Sequence, residues 1–323
     1  MGTYKQLTYE QRCQIEALKK SGNSQRAIAA LIKVSQSSIS RELARNAGER
    51  GYRHNQAQQK AIERRQATVK PHKMTAELID EIEDKLWLKW SPEQISSWLL
   101  MNQDISISHE CIYRHIWADK KAGGDLYKNL RRHARKYKAR GSNGKTRSGQ
   151  IRNRVSIDER PASVDEKSVV GDWEIDTVIG KNHSGALVTI VERVTLFTVS
   201  MRVNSKRAKE VTAATIALLT PFKDLVNTIT SDNGKEFAYH EQIAASLNCD
   251  FYFAHPYHSW ERGLNENTNG LLRQYFPKST DFKTVSGKKV AQSVEQLNNR
   301  PRKTLAFKTP AVLMQQEMAA LAA

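Results

Sequence analysis

Asp172-Trp173-Glu174-Ile175-Asp176-Thr177-Val178-Ile179 is the stretch on which the reading of this chain turns. Apolar and β-branched residues fill it, so it reads as a strand. Its acidic residues recur at every second position. In an extended backbone Asp172, Glu174 and Asp176 therefore share one face. A lone charge in an otherwise apolar strand is costly to bury, so Asp176 calls for a compensating partner.

Downstream, Ala186 to Val194 and Phe197 to Val203 read as two more strands. A helix follows from Lys206 to Leu219, with Val211, Thr215 and Leu218 inward. Val226 to Thr230 reads as a buried strand ending in Ser231-Asp232-Asn233-Gly234. Phe251 to Ala254 is another, and a helix runs from about Trp260 to Tyr275. Three strands, then helix, strand, helix, strand and helix make a mixed α/β pattern.

This layout can bring three carboxylates together. Asp176 lies within the first strand and Asp232 at the end of a later one, where ligands gather in α/β sheets. Glu266 lies on the final helix, and 33 residues separate it from Asp232. Ionised carboxylates held together need cations, and Mg²⁺ prefers their oxygens. Two such ions can activate an attacking oxygen and stabilise a leaving one in phosphoryl transfer. The pattern alone leaves choices open. Asp172 and Glu174 compete with Asp176, Glu261 competes with Glu266, and Asp232-Asn233-Gly234 is by itself a common turn.

The first half of the chain has a different texture. Residues 1–160 hold 32 Lys/Arg against 17 Asp/Glu, whereas residues 161–323 hold 19 against 17. A basic front half implies a polyanion, with nucleic acid ahead of an anionic membrane surface. Residues 8–46 read as three helices. Thr8 and Gln11 form a capping box, Ser24 caps a second helix carrying Ala27, Ile28 and Leu31, and Ser35 opens a third with Ile39 and Leu43 inward. The last two make a helix-turn-helix. Its second helix offers Gln36, Ser37, Ser38, Ser40, Arg41 and Arg45 to base edges and phosphates.

The motif recurs. Thr75 to Trp87 carries Leu78, Ile82 and Leu86, Ser91-Pro92-Glu93-Gln94 opens a second helix, and Ser108 caps a third with Ile112 and Ile116 inward. His109 and Arg114 on that helix are candidate DNA contacts. From Lys128 to Arg154 eleven Lys/Arg occur with no acidic residue. Arg131, Arg132, Arg135 and Lys136 in this stretch read as contacts to the phosphate backbone.

Cys13, Cys111 and Cys249 are too far apart for a disulfide framework or a paired-cysteine zinc site. The closeness of His109, Cys111 and His115 is not read as a metal site. No apolar run approaches a membrane span, and Met1 to Lys5 lacks a signal-peptide core. A cytoplasmic protein is expected. On the residues alone, two further readings stand: a DNA-binding regulator whose acidic half only assembles subunits, and a nuclease that cuts without joining.

The stretch from Gly171 to Gly180 resembles the first catalytic motif of the insertion sequence thirty family of DDE transposases. Ser231-Asp232-Asn233-Gly234-Lys235-Glu236-Phe237 resembles the second. Pro256 to Lys278, with Trp260-Glu261-Arg262-Gly263-Leu264-Asn265-Glu266-Asn267-Thr268-Asn269-Gly270 inside it, resembles the third. Asn299-Arg300-Pro301-Arg302-Lys303-Thr304-Leu305 looks like the segment that follows. One departure is Asp172, where histidine is expected more often.

The resemblance covers nearly the whole chain and implies a ribonuclease H-like catalytic domain, a mixed five-stranded sheet with flanking helices, preceded by all-α helix-turn-helix domains. It implies that Asp176, Asp232 and Glu266 hold two Mg²⁺ ions, for which Mn²⁺ can substitute, and that Asp172, Glu174 and Glu261 do not. It further implies binding to the terminal inverted repeats of an insertion element, then donor cleavage and strand transfer to target DNA. The 3′-hydroxyl is the nucleophile, so no covalent protein–DNA intermediate is expected. Arg273 and Lys278 are expected on the DNA backbone, Trp260 and Leu264 in packing, and the chain as a homo-oligomer on DNA. The expected domains are 1–48 and 74–125 for the two reading heads, 49–73 for a basic linker or extended helix, 126–162 for a flexible basic arm and 163–323 for the catalytic domain.

Overall fold

The computed structural model describes residues 6–67, 74–131, 151–256 and 258–322. Met1–Lys73 and Met74–Ala323 form two compact units. Arg132, Arg135 and Lys136 lie outside the described residues.

The first unit holds helices α1 (Tyr9–Lys20), α2 (Gln25–Leu31), α3 (Gln36–Asn46) and α4 (His54–Ala67). The caps are those expected: Thr8 and Gln11 close a capping box, and Ser24 and Ser35 accept from Ala27 and Ser38 amides. Ile15, Ile28, Ile39 and Leu43 fill the core, whereas Leu31 is 61% exposed and not part of it. The segment 49–73, expected as a linker or an extended helix, is helical over α4. Tyr52 and Ala57 complete the core. Lys60 Nζ donates to the Ala47 carbonyl at 2.8 Å, satisfying an acceptor just past the end of α3. A segment with so few apolar residues gives no periodic signal, because the anchoring relies on one tyrosine, one alanine and polar bonds. A buried Arg12–Glu42 ion pair at 2.8 Å joins α1 to α3, and the Tyr52 hydroxyl donates to the same carboxylate at 3.0 Å.

The second unit opens with α5 (Ala76–Trp87), α6 (Pro92–Gln103) and α7 (His109–Lys121). Leu78, Ile82, Leu86, Ile95, Leu99, Ile112 and Ile116 form its core. Of the arm expected over 126–162, residues 126–131 and 151–162 are described. Leu126–Asn129 is a 3-10 turn that buries Leu126 and Asn129. The Phe253 amide donates to Val155 at 3.0 Å, so that segment runs along the sheet edge.

After the short α8 (Ser163–Glu166) come β1 (Asp172–Ile179), β2 (Ala186–Glu192), β3 (Thr198–Val203), α9 (Ala208–Leu219), β4 (Thr228–Ser231), α10 (His240–Leu247), β5 (Asp250–Phe253), α11 (Gly263–Leu272), α12 (Gly287–Asn298) and α13 (Pro310–Ala322). The sheet order is β3-β2-β1-β4-β5. β1 pairs antiparallel with β2 and parallel with β4, so it is central. Trp173 and Ile175 point into a core shared with Val211, Leu219 and Ile243 of α9 and α10. Val178 points to the opposite face, into a core with Leu271, Leu272, Val290 and Leu297 of α11 and α12. Burying each such aliphatic side chain contributes roughly 1.5–3 kcal/mol. The result is a helix–sheet–helix sandwich. The alternation of β1 puts Asp172, Glu174 and Asp176 on the α11 face.

Candidate active site

The register of β1 and β4 positions the first two carboxylates. Glu174 pairs with Thr230 across parallel strands. Two residues further along, the two chains reach Asp176, still within β1, and Asp232, where β4 has ended. Asp232 lies just past β4, where its Oδ1 accepts the Gly234 amide at 2.9 Å. A side chain on Gly234 would meet the carboxylates of Glu236 and Asp232, which would have to shift to admit it. Asp176 Oδ1 accepts the Thr177 amide at 2.7 Å, and its Oδ2 accepts Asn269 Nδ2 from α11 at 2.9 Å.

The structure separates the three acidic residues of β1. Asp172 accepts the Thr228 hydroxyl at 2.7 Å. Glu174, 1% exposed, pairs with Arg193 at 2.8 Å and accepts the Asn265 amide at 3.1 Å. Burial pushes its carboxyl upward against the pull of Arg193. Both are thus committed to packing β1 against its neighbours. Asp176 is half-buried. Burial pushes its pKa up to about 6, with Arg262 opposing and Asp232 adding to the rise.

Arg262 is the residue that sequence reading missed. Its Nη1 stands 3.9 Å from Asp176 Oδ2 and its Nη2 3.4 Å from Asp232 Oδ2. Its Nε and Nη1 have no hydrogen-bond partner. A guanidinium thus rests between two carboxylates without tight geometry, where a cation is called for. The donor set, two half-buried carboxylates ordered by backbone amides, suits hard divalent ions. Spacing gives only a partial signal: Arg262 precedes Glu266 by four residues and Asn269 follows it by three, as on one helix face, but Arg262 belongs to the turn before α11. Glu266 lies between them on α11 and is exposed. Among the described residues, the group of three ligand-bearing side chains whose atoms all lie within 4.8 Å is a different one: His255, His258 and Glu261. The Asp176, Asp232 and Glu266 carboxylates are more widely spread.

That neighbouring group is knit by hydrogen bonds. Glu261 Oε1 meets His255 Nδ1 at 2.8 Å and His258 Nδ1 at 3.1 Å, and His255 Nε2 meets Asp158 at 2.9 Å. These bonds order the loop that leads into α11. Trp260 in this loop is 70% exposed and stacks on His258. Its expected packing role is not found, because a 3-10 turn at Ser259–Arg262 precedes the helix and turns the indole outward. Glu236 was not singled out either. It is buried, pairs with Lys206 at 2.5 Å and accepts the Thr177 hydroxyl at 3.1 Å, beside Asp176 in sequence.

Of the candidate DNA contacts, Gln36, Ser37, Ser40, Arg41 and Arg45 are exposed on α3, and His109 and Arg114 on α7. Ser38 is half-buried, its hydroxyl 2.8 Å from that of Ser35. Arg131 leans on α11, donating to the Asn267 side chain at 2.9 Å. Lys278 is exposed, but Arg273 is not available as expected. It donates to the Ile179 carbonyl at 2.8 Å and also to Phe276 and Pro277. The end of β1 and the turn after α11 need a donor there. Arg114 and Ser108 bond Cys111, and His115 bonds Glu83, so His109, Cys111 and His115 form no cluster.

Residues 3–46 match a family described as a helix-turn-helix domain, and residues 167–259 match the integrase core domain family. The second match stops seven residues short of Glu266. The chain is 46% identical to the transposase for insertion sequence element IS4351 of Bacteroides fragilis, over 95% of this chain and 94% of the relative. It is 36% identical to that for IS1086 of Cupriavidus metallidurans, over 98% and 96%. It is also 36% identical to the transposase InsI for IS30A of Escherichia coli, over 97% and 84%. A helix-turn-helix reader on one chain with an integrase core defines a DNA-binding transposase of the DDE class. The chain belongs to the IS30 family of transposases. Among the described residues no helix is long and apolar enough to cross a membrane.

Proposed function

We propose that the chain binds the terminal inverted repeats of its element as a homo-oligomer and, with two Mg²⁺ ions, cuts the donor strand and joins it to target DNA. The observation that carries the chemistry is the Arg262 guanidinium set between Asp176 and Asp232. Asp176, Asp232 and Glu266 would hold the ions, which would activate the attacking oxygen and stabilise the leaving one. Asn269 and the Thr177 amide fix both oxygens of Asp176, and the Gly234 amide fixes Asp232. The exposed faces of α3 and α7 read the repeats, and Lys278 meets the backbone. The released 3′-hydroxyl attacks directly, so no residue of this chain becomes bonded to DNA.

The test is incubation with flanked element ends and Mg²⁺, mapping nicked and joined strands. Asp176→Asn, Asp232→Asn and Glu266→Gln should each abolish both products while repeat binding persists. Full activity in one of them removes that residue from the site. Cut strands that are never joined would reduce the protein to a nuclease.

A further inference from the structure

Within the second unit, a cleft of about 520 Å³ opens between α7 and α11. Lys89, Arg131, Arg300 and Arg302 line it, with Tyr113 and Trp117 from α7, and no acidic residue is among its lining. Arg300 is 2% exposed. Its Nη1 and Nη2 donate to Gln274 Oε1 and the Tyr275 hydroxyl, both at 2.8 Å, and its Nε has no partner. Arg302 donates to the Leu297 carbonyl at 3.0 Å, and its Nε is likewise unpartnered. Lys89 bonds the Asn129 side chain. Every one of these partners is neutral. None of the ion pairs among the described residues involves Lys89, Arg300 or Arg302.

Buried charges are ordinarily paired. Here three cations converge without an anion, and burial together with their mutual repulsion pushes Arg302 down to about 9 and lowers Lys89. An anion in the cleft would relieve both effects. Planar guanidinium forks match phosphate oxygens. Trp117, 47% exposed, and Tyr113 supply ring faces of the kind on which bases stack. Volume and lining suit a nucleotide.

We infer that this cleft holds a nucleotide of the DNA strand, its phosphate on Lys89, Arg300 and Arg302 and its base against Trp117. The inference rests on the proposed function. Gln274 of the cleft lies eight residues beyond Glu266 on or just past α11, about 12 Å along a helix axis. At roughly 3.4 Å per nucleotide of one strand, the cleft would grip DNA a few nucleotides from the reacting phosphate. It would couple the α7 reading helix to the helix that carries Glu266.

The test uses the full chain, an element-end duplex and anisotropy titrations over a range of KCl concentrations. Arg302→Gln and Lys89→Gln should each flatten the log–log salt slope by about 0.9, the value of one phosphate contact. Trp117→Ala, at an exposed position, should weaken binding roughly tenfold or more with the slope unchanged. Melting curves identify any variant that fails to fold, and Trp117→Ala remains decisive in that case. Unchanged slopes in folded lysine and arginine variants, or unchanged affinity in Trp117→Ala, overturn the inference. Titration with thymidine monophosphate separates the other source of the same chemistry. Binding of it that is lost in Arg302→Gln, with the DNA slope intact, would assign the cleft to a free nucleotide and sink the strand reading. If wild type still cuts and joins with Mg²⁺ while the slopes stay put, only the cleft is wrong. If wild type neither binds nor cuts, the proposed function itself fails.

Discussion

Arg262 Nη2 stands 3.4 Å from Asp232 Oδ2, near enough to attract and too far for a strong hydrogen bond. The same guanidinium lies 3.9 Å from Asp176. It offsets the repulsion of two neighbouring carboxylates and competes with any divalent ion for them. Arg262→Gln should therefore tighten Mn²⁺ binding, read by electron paramagnetic resonance, by roughly fivefold. That is about 1 kcal/mol, the low end for a unit charge removed about 4 Å away. Weaker Mn²⁺ binding would mean that Arg262 organises the carboxylates rather than standing in for the ion.

Asp176 carries a raised pKa, about 6, mainly because it is buried. The sign of its effect on stability follows. Between about 3.9, the ordinary aspartate value, and about 6, the folded state holds a proton that the unfolded state has released. In that window stability falls as pH rises. Above it the folded protein carries the full penalty unless a cation offsets it. In EDTA, Asp176→Asn should raise the melting temperature at pH 7, by roughly 2–4 °C for each kcal/mol recovered. The gain should vanish below pH 4. A variant that melts lower than wild type at pH 7 would show that the Arg262 attraction outweighs burial.

Glu174 shares a strand face with Asp176 but should behave in the opposite way. Its carboxylate pairs with buried Arg193 and holds the Asn265 amide of α11. Glu174→Gln leaves Arg193 with the exposed Asp165 as its remaining acidic partner, at 3.2 Å. Removing one member of a buried pair costs about 3–5 kcal/mol. Thermal melting should show a loss of that order, with loss of cleavage secondary to it. Unchanged stability would mean that the pair is dispensable to the fold.

The contrast between these two residues shows how far the sequence could be read. Alternation placed Asp172, Glu174 and Asp176 on one face, and the turn Ser231–Gly234 placed Asp232 at a strand end. Both depend only on neighbours in the chain. Which acid is consumed by packing depends on Arg193, 19 residues after Glu174, and on Thr228, 56 after Asp172. No local pattern announces such partners, and the family resemblance made that choice instead. The caps at Thr8, Ser24, Ser35, Ser91 and Ser108 were legible because a cap lies within three residues of its partner. Arg262, the outward Trp260 and the internal use of Arg273 were not, because each is decided by how α11 and the turns flanking it meet the sheet.

The loop before α11 should loosen as pH rises. Hydrogen bonds to Glu261 and then to Asp158 raise the His255 pKa above its ordinary 6.5. Burial pushes Glu261 up, but its bonds to His255 and His258 outweigh that and hold it low. The stabilisation is fully present below pH 6.5 and is lost as pH climbs through the folded-state value of His255. Hydrogen exchange at residues 255–262, corrected for intrinsic rates, should accelerate across that interval. Glu261→Gln should shrink the dependence to the part that Asp158 sustains, while leaving Asp176 and Asp232 in place. A pH-independent exchange rate in the wild type would reduce the cluster to neutral hydrogen bonding.

The first unit offers a test of both its boundary and its role. Its core is closed by Tyr52 and Ala57, and the Tyr52 hydroxyl bonds the Glu42 carboxylate that neutralises Arg12. A fragment of residues 1–73 should therefore fold cooperatively. A fragment ending at residue 48, where the helix-turn-helix alone would stop, leaves Ile15, Ile39 and the Arg12–Glu42 pair partly uncovered. It should show helical circular dichroism without a sharp melting transition. The 1–73 fragment should prefer element-end DNA over random duplex. Arg41 is exposed on α3 and among the described residues hydrogen-bonds Ser37, at 3.1 Å, so Arg41→Ala should weaken binding without lowering the melting temperature. A loss of about 1–3 kcal/mol confined to particular base substitutions would mark a base contact. A uniform loss with a salt slope lowered by about 0.9 would mark a phosphate contact. If the 1–48 fragment melts as sharply as the longer one, α4 is an appendage and the original linker boundary is restored.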